Sequence, residues 1–141
     1  MAMKWVKGRT KIAWYPAATS QAFAVNTLVN FNLSGEIIPA DSTSGDHIGI
    51  ILKAITSASP EYATETNVPV EVPVDKMCEL EADATGLTSE SVGLTYDLTD
   101  AATVNGSASS IDAVTCVKYI SATKGRFVLN STFDIFGVRT T

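Results

Sequence analysis

The stretch Val68-Pro69-Val70-Glu71-Val72-Pro73-Val74 decides how this chain folds. In a strand, successive side chains alternate between faces, so Val68, Val70, Val72 and Val74 share one face while Pro69, Glu71, Pro73 and then Asp75 share the other. The first is a core face and the second is not. Amides two residues apart along a strand point to the same lateral side. Pro69 and Pro73 therefore remove donors from one edge and leave the opposite edge able to pair. The expectation is an edge strand blunted on one side, a device by which β proteins limit uncontrolled pairing. The segment contains nothing catalytic.

Working outward, alternation recurs. Phe23, Val25, Thr27, Val29, Phe31 and Leu33 fall on one face, with Ala24, Asn26, Asn30 and Asn32 on the other, which predicts a long half-buried strand from Gln21. Asp41 to Asp46 has loop composition, and Ile48-Gly49-Ile50-Ile51-Leu52 is apolar throughout, as in a strand covered on both faces. Cys78, Leu80 and Ala82 alternate with Glu79, Glu81 and Asp83, although Asp75 to Ala84 also suits a helix by propensity. Val92, Leu94, Tyr96 and Leu98 alternate with Gly93, Thr95, Asp97 and Thr99. Asn105-Gly106 is the strongest local hairpin signal. Ala113 to Ile120 and Arg126 to Leu129 are expected as strands joined across Ser121 to Gly125, with Thr132 to Val138 as a last strand or extended tail. Many short strands with turns about every ten residues predict an all-β fold, a small single-domain β-barrel or sandwich.

Residues 1 to 20 lack sustained periodicity and contain Gly8 and Pro16, so they are expected as an extended N-terminal arm on a domain of residues 21 to 141. Lys4, Lys7, Arg9 and Lys11 precede the first acidic residue, Glu36, and Trp5, Trp14 and Tyr15 stand among them. Eleven extended residues reach roughly 35 Å, enough to lie on a neighbour. Burying a Trp removes roughly 150 to 250 Å² from water, whereas an exposed ion pair contributes about 0.2 to 1 kcal/mol, so Trp5 is expected to anchor and the lysines to steer. In the competing arrangement Trp5 and Trp14 fold back on their own barrel. Both stay open.

The chain has 141 residues and a net charge of -5, and only 18% of its residues are charged. That charged fraction is below the roughly one quarter usual in soluble domains, while Ser and Thr fill about a fifth, so the surface is hydroxyl-rich. Fourteen carboxylates lie from Glu36 to Asp112 against Lys53 and Lys76, and the balance turns basic again from Ala113. An acidic middle repels a phosphate backbone, so nucleic acid is not an expected partner. No apolar run is long enough for a secretion signal or a membrane span. Cys78 and Cys116 have no clustered His, which leaves zinc and redox sites without ligands. The two cysteines fit either two buried thiols or one disulfide.

Few residues suggest chemistry. His47 is the sole histidine, and Ser44-Gly45-Asp46-His47 places triad residue types in one tetrapeptide, whereas triad members converge from different elements. A polar turn is the expected reading. Glu79, Glu81 and Asp83 share a strand face but lack the glycine and loop ligands of a calcium site, so a solvated face is expected. Asp97 and Asp100 have no nucleophile beside them and suit a strand end with turn-forming aspartates. No phosphate loop, G-x-S-x-G or H-E-x-x-H occurs, and neither an enzyme nor a cofactor is expected.

Taken together, Ser44 to Gly49, Val68 to Val74, Val92-Gly93, Tyr96 to Asp100 and Tyr119 to Asn130 give this chain a pattern that resembles the auxiliary head proteins of tailed bacteriophages. These are the decoration, or cement, proteins of the outer capsid surface. The resemblance covers about residues 44 to 132 and implies a compact β domain, assembled as a homotrimer, that bridges adjacent copies of the major capsid protein on a virion made in the host cytoplasm. The basic segment Met1 to Lys11 lies outside the matched region, and its capsid-binding role is expected from its chemistry. A receptor- or glycan-binding head or tail module, using the hydroxyl-rich loops Thr85 to Ser91 and Asn105 to Ser110, is the alternative.

Overall fold

Residues 3–43, 47–75 and 77–130 are described by the computed structural model. The strands among them are β1 (Lys4–Lys7), β2 (Thr10–Ala17), β3 (Leu28–Phe31), β4 (Ile37–Pro39), β5 (His47–Ile51), β6 (Thr66–Pro73), β7 (Glu79–Thr85), β8 (Thr95–Asp100), β9 (Thr103–Asn105), β10 (Val114–Ser121) and β11 (Lys124–Leu129). One helical turn, α1, spans Pro60–Ala63. The expected Thr132 to Val138 strand and most of the Ser44 to His47 turn lie outside the described residues.

Two small barrels make up the all-β domain. One is the closed ring β2-β4-β3-β5-β6. The other is the sheet β1-β7-β11-β10-β8-β9, in which β9 pairs back on β7 in parallel, from Asp83 with Thr103 to Thr85 with Asn105. One edge of β7 thus serves β1 over its first half and β9 over its second. Each barrel has its own apolar cluster. Val68, Val70 and Val72 fill the first together with Ile37, Ile48, Ile51 and Ile55. Leu80, Leu98, Val104, Val114, Cys116 and Phe127 fill the second.

Val68, Val70 and Val72 are core, as the alternation requires, whereas Val74 lies past the end of β6 and is exposed, and β6 is not an edge strand. It pairs with β2 along its whole length, Thr10 with Pro73 through Ala17 with Thr66, and on the other side with β5 at Glu71 and Val70. The Val74 N–H donates to the Arg9 carbonyl beside β2, and the Pro69 carbonyl accepts from Leu52 beside β5. Amide and carbonyl of one strand residue point the same way, so both prolines direct their missing donors at β5. Pairing there is correspondingly short. The prolines do mark one side, yet barrel closure covers it.

The arm is likewise overturned. β1 and β2 are strands of the two sheets, so the boundary between residues 20 and 21 separates no arm from a domain. The reason is long-range pairing. Thr10 to Ala17 finds its partner far along the chain in β6, Thr66 to Pro73, and local periodicity carries no trace of that.

Other expectations shift in detail. The long strand from Gln21 shortens to Leu28–Phe31, because Asn26 takes a left-handed φ of 62° and Phe23 makes only an isolated bridge to Ile55. The Asn105-Gly106 hairpin does not form. β8 and β9 turn at Ala101-Ala102, while Gly106 donates to the Thr85 carbonyl and leads into the loop before β10. Within Asp75 to Ala84 the strand alternative holds from Glu79 onward, with Leu80, Ala82 and Ala84 buried. In β5 a bulge does structural work: Val29 pairs with Gly49 but Asn30 with His47, leaving Ile48 extra. A bulge shifts the alternation, so Ile48 and Ile51 enter one core while Ile50, with Leu28, enters the other.

Candidate interaction surface

Side-chain alternation sets the outer wall of the first barrel. Ala13 and Tyr15 pack against the valine cluster, so Thr10, Ile12, Trp14 and Pro16 point outward from β2. Their register partners on β6 are Pro73, Glu71, Pro69 and Asn67. Ile12 is 59% exposed and Trp14 is 62% exposed. Thr10 donates its hydroxyl to the Glu71 carboxylate at 2.6 Å, so the one charge on this wall already has a partner. Lys11 and Arg9 are exposed at the same strand start. The result is an apolar, aromatic stripe beside prolines, with cations at one end.

The remaining arm residues go elsewhere. Trp5 pairs with Leu80 on β1, packs against the second core, and donates its indole N–H to the Glu71 carbonyl at 3.0 Å. It is a strut between the barrels. Tyr15 meets Phe31 edge to face at 5.1 Å, and burial raises its phenol pKa. Lys4 and Lys7 stand 3.7 Å from Glu81 and 3.6 Å from Glu79. Arg126 approaches Glu81 from the other flank at 4.0 Å, an ion-pairing rather than a hydrogen-bonding distance. The carboxylates considered for calcium are thus a stripe between two cationic strands, and the basic N-terminus is spent partly on this chain's own acidic strand. With both lysines mostly exposed, each such pair contributes only about 0.2 to 1 kcal/mol.

His47 is fully buried in β5, with Nδ1 3.3 Å from Asn30 Oδ1, and takes part in a polar contact of the barrel interior. Cys78 and Cys116 are unpaired and buried, which settles the cysteine alternatives. Cys78 donates to the Arg9 carbonyl, and burial raises the Cys116 thiol pKa. Among the described residues no three His, Cys, Asp or Glu side chains converge on a common point, and no helix is long and apolar enough to cross a membrane.

Asp97 is not the turn-forming aspartate expected of it. It is buried, and its carboxylate accepts the backbone N–H groups of Ser110, Ile111 and Asp112 at 3.0, 2.7 and 2.8 Å. Asp100, by contrast, is exposed and forms the expected turn by accepting from Ala102. The loop that Asp97 holds walls a recess of about 390 Å³ lined by Leu94, Thr95, Tyr96 and Gly106 to Ser109. Only an excess of local turn formers over local donors could have hinted at such a distant anchor.

This sequence matches no protein-family model and no curated protein.

Proposed function

We propose that this protein is a structural virion component that binds the outside of an assembled phage capsid and cements adjacent major capsid protein subunits. The observation that carries the reading is the Ile12–Trp14 stripe. A large aromatic left mostly exposed on the flat wall of a closed barrel has no role in its own core, and exposed aromatics of this kind are typical anchors of protein contacts. Among the described residues the β2 edge away from β6 pairs with β4 only at Ala17, but Ile12 and Trp14 project from the strand face, so the contact proposed is made through side chains. Hydroxyl-rich surroundings and an acidic balance favour a protein partner over nucleic acid.

Mixing the purified protein with undecorated mature capsids is expected to give saturable, stoichiometric binding. Truncation of an anchoring Trp costs about 2 to 4 kcal/mol, so Trp14→Ala should weaken binding by roughly thirtyfold or more. Because Trp14 is exposed, its melting temperature should hardly change. Deleting residues 1 to 11 is not a clean test, since it removes β1 and the start of β2. Equal binding by Trp14→Ala would sink the assignment of this wall.

The recess beside the Asp97-held loop favours a second reading, a receptor- or glycan-binding module. Apolar Leu94 and Tyr96 and hydroxyl-bearing Thr95, Ser107 and Ser109 line it together, a mixture that suits a sugar ring. Saturable binding to host-cell polysaccharide, without affinity for capsids, would reverse the order of the two readings.

A further inference from the structure

Antiparallel pairing fixes which backbone groups of β2 face β6. The Val74 N–H donates to the Arg9 carbonyl, and the register continues with Lys11 opposite Val72 and Ala13 opposite Val70, so Arg9, Lys11, Ala13 and Tyr15 turn their N–H and C=O groups to β6. Thr10, Ile12 and Trp14 turn theirs the other way. β4 meets that edge only at Ala17, and among the described residues no strand pairs with it from Thr10 to Trp14. Proline and bulges are the devices that blunt an edge, and this run has neither before Pro16. Three donors and three acceptors therefore stand in a row with the geometry that receives a strand. Arg9 and Lys11 beside them are exposed and, among the described residues, form no ion pair.

The chain carries a segment of matching chemistry outside the described residues. Past Asn130 the sequence continues Ser131-Thr132-Phe133-Asp134-Ile135-Phe136-Gly137-Val138, rich in β-branched and aromatic residues and without proline. Its four apolar side chains can extend the stripe of Ile12 and Trp14. Asp134, the one carboxylate side chain after Asp112, is the complement of the two cations.

The segment also starts within reach. β11 pairs Phe127 with Leu80 of β7, so two residues further on Leu129 comes level with Cys78. The Cys78 thiol donates to the Arg9 carbonyl at 3.1 Å, and a Cβ on Gly8 would lie 3.0 Å from the Cys78 Cα, so β2 begins at that same level. β1 and β11 flank β7, which places the departing chain on the far side of β7 from β2. A position outside β2 is three strand spacings away, about 14 Å, whereas residues 131 to 141 extend to roughly 36 Å. The remaining length, about 22 Å, exceeds the roughly 13 Å from Thr10 to Trp14.

We propose that the segment Thr132 to Val138 pairs with the open edge of β2 in the same molecule, as a further strand that covers the unpaired groups of Thr10, Ile12 and Trp14. Tethering makes the pairing intramolecular, at an effective concentration in the millimolar range for a short connection, which favours this segment over one from another copy. The side chains of Ile12 and Trp14 point from the strand face and stay available, so the capsid reading is neither required nor opposed.

Amide hydrogen exchange in the full chain, followed residue by residue by NMR, tests the pairing. The Thr10, Ile12 and Trp14 amides should exchange at least about tenfold more slowly than in an unstructured peptide. Replacing Phe133, Ile135, Phe136 and Val138 together by Ser should remove that protection, while the Lys11 and Ala13 amides, which face β6, keep their wild-type rates. Nuclear Overhauser contacts between the backbone of Ile12 or Trp14 and residues 132–138 should appear in wild-type protein, and they decide the matter even where the serine variant does not fold. Free exchange at the three amides, absence of those contacts, or protection that survives in the folded serine variant would each overturn the proposal. So would protection that is lost on about tenfold dilution, because the covering strand would then come from a second copy.

Discussion

Asp97 shows how much one side chain can organise. A buried carboxylate that accepts three backbone N–H groups satisfies donors of a loop that has no ladder of its own, and hydrogen bonds to a charged group contribute about 1.5 to 3 kcal/mol each before the cost of desolvation. Asp97→Ala strands those amides, so it is expected to lower stability by about 3 kcal/mol, read as a fall in the urea midpoint at unchanged slope. A midpoint within error of wild type would mean that water replaces the carboxylate. Cys116 and Tyr15 give a pH dependence of definite sign. Burial raises both pKa values, so the folded state keeps protons that the unfolded state gives up. Their contribution is fully present below the unfolded values, about 8.5 for a thiol and about 10 for a phenol, and is lost as pH rises through the folded values. Denaturant midpoints should therefore fall progressively above about pH 8.5. The Cys116 thiol should also resist alkylation until the protein unfolds. A midpoint flat from pH 8 to 10.5 would count against the burial of both groups. At this scale the sequence was least legible: the carboxylates of Asp97 and Asp100 look alike in it, and only the position of a loop more than ten residues away gives one of them a structural task.

At the level of elements, legibility follows the range of the interaction. The valine face of β6, the doubly covered β5 and the β10–β11 hairpin could be read because alternation and turn chemistry are local. What joins β6 to its neighbours could not, because β2 and β5 reach it from distant parts of the chain. The two prolines were therefore correctly placed on one side and wrongly given a free edge. Closure on that side rests on close approach at Gly49, where a Cβ would collide with the Glu71 carbonyl oxygen and crowd Val72. Gly49→Ala must push β5 and β6 apart at their short contact, so a loss of about 2 to 4 kcal/mol is expected, as for other overpacked or strained core sites. Normal stability in that variant would show that the barrel wall has slack there. The bulge at Ile48 was equally hidden. A repeat of apolar residues does not say which one is extra, yet that choice sends Ile48 and Ile50 into different cores.

On the scale of the molecule, the two barrels are joined by shared structure rather than by a linker. Leu28 and Ile50 leave the strands of the first barrel to enter the core of the second, the Leu28 N–H donates to the Ala101 carbonyl, and Trp5 spans the junction to Glu71. The second core is incomplete without Leu28 and Ile50 from the first half, so the halves should unfold together. Fluorescence of Trp5 at the junction and the far-ultraviolet signal of both sheets should trace one coincident transition in urea, with Trp14, already exposed, adding little to the change. Trp5→Ala tests the strut directly. Losing a partly buried indole and its hydrogen bond should cost about 3 kcal/mol and lower the common midpoint without splitting it, because Leu28 and Ile50 still bridge the cores. Two separated transitions in wild-type protein would mean that the barrels are independent and that the shared wall couples them weakly. One transition in wild type that splits in Trp5→Ala would place most of that coupling on the indole.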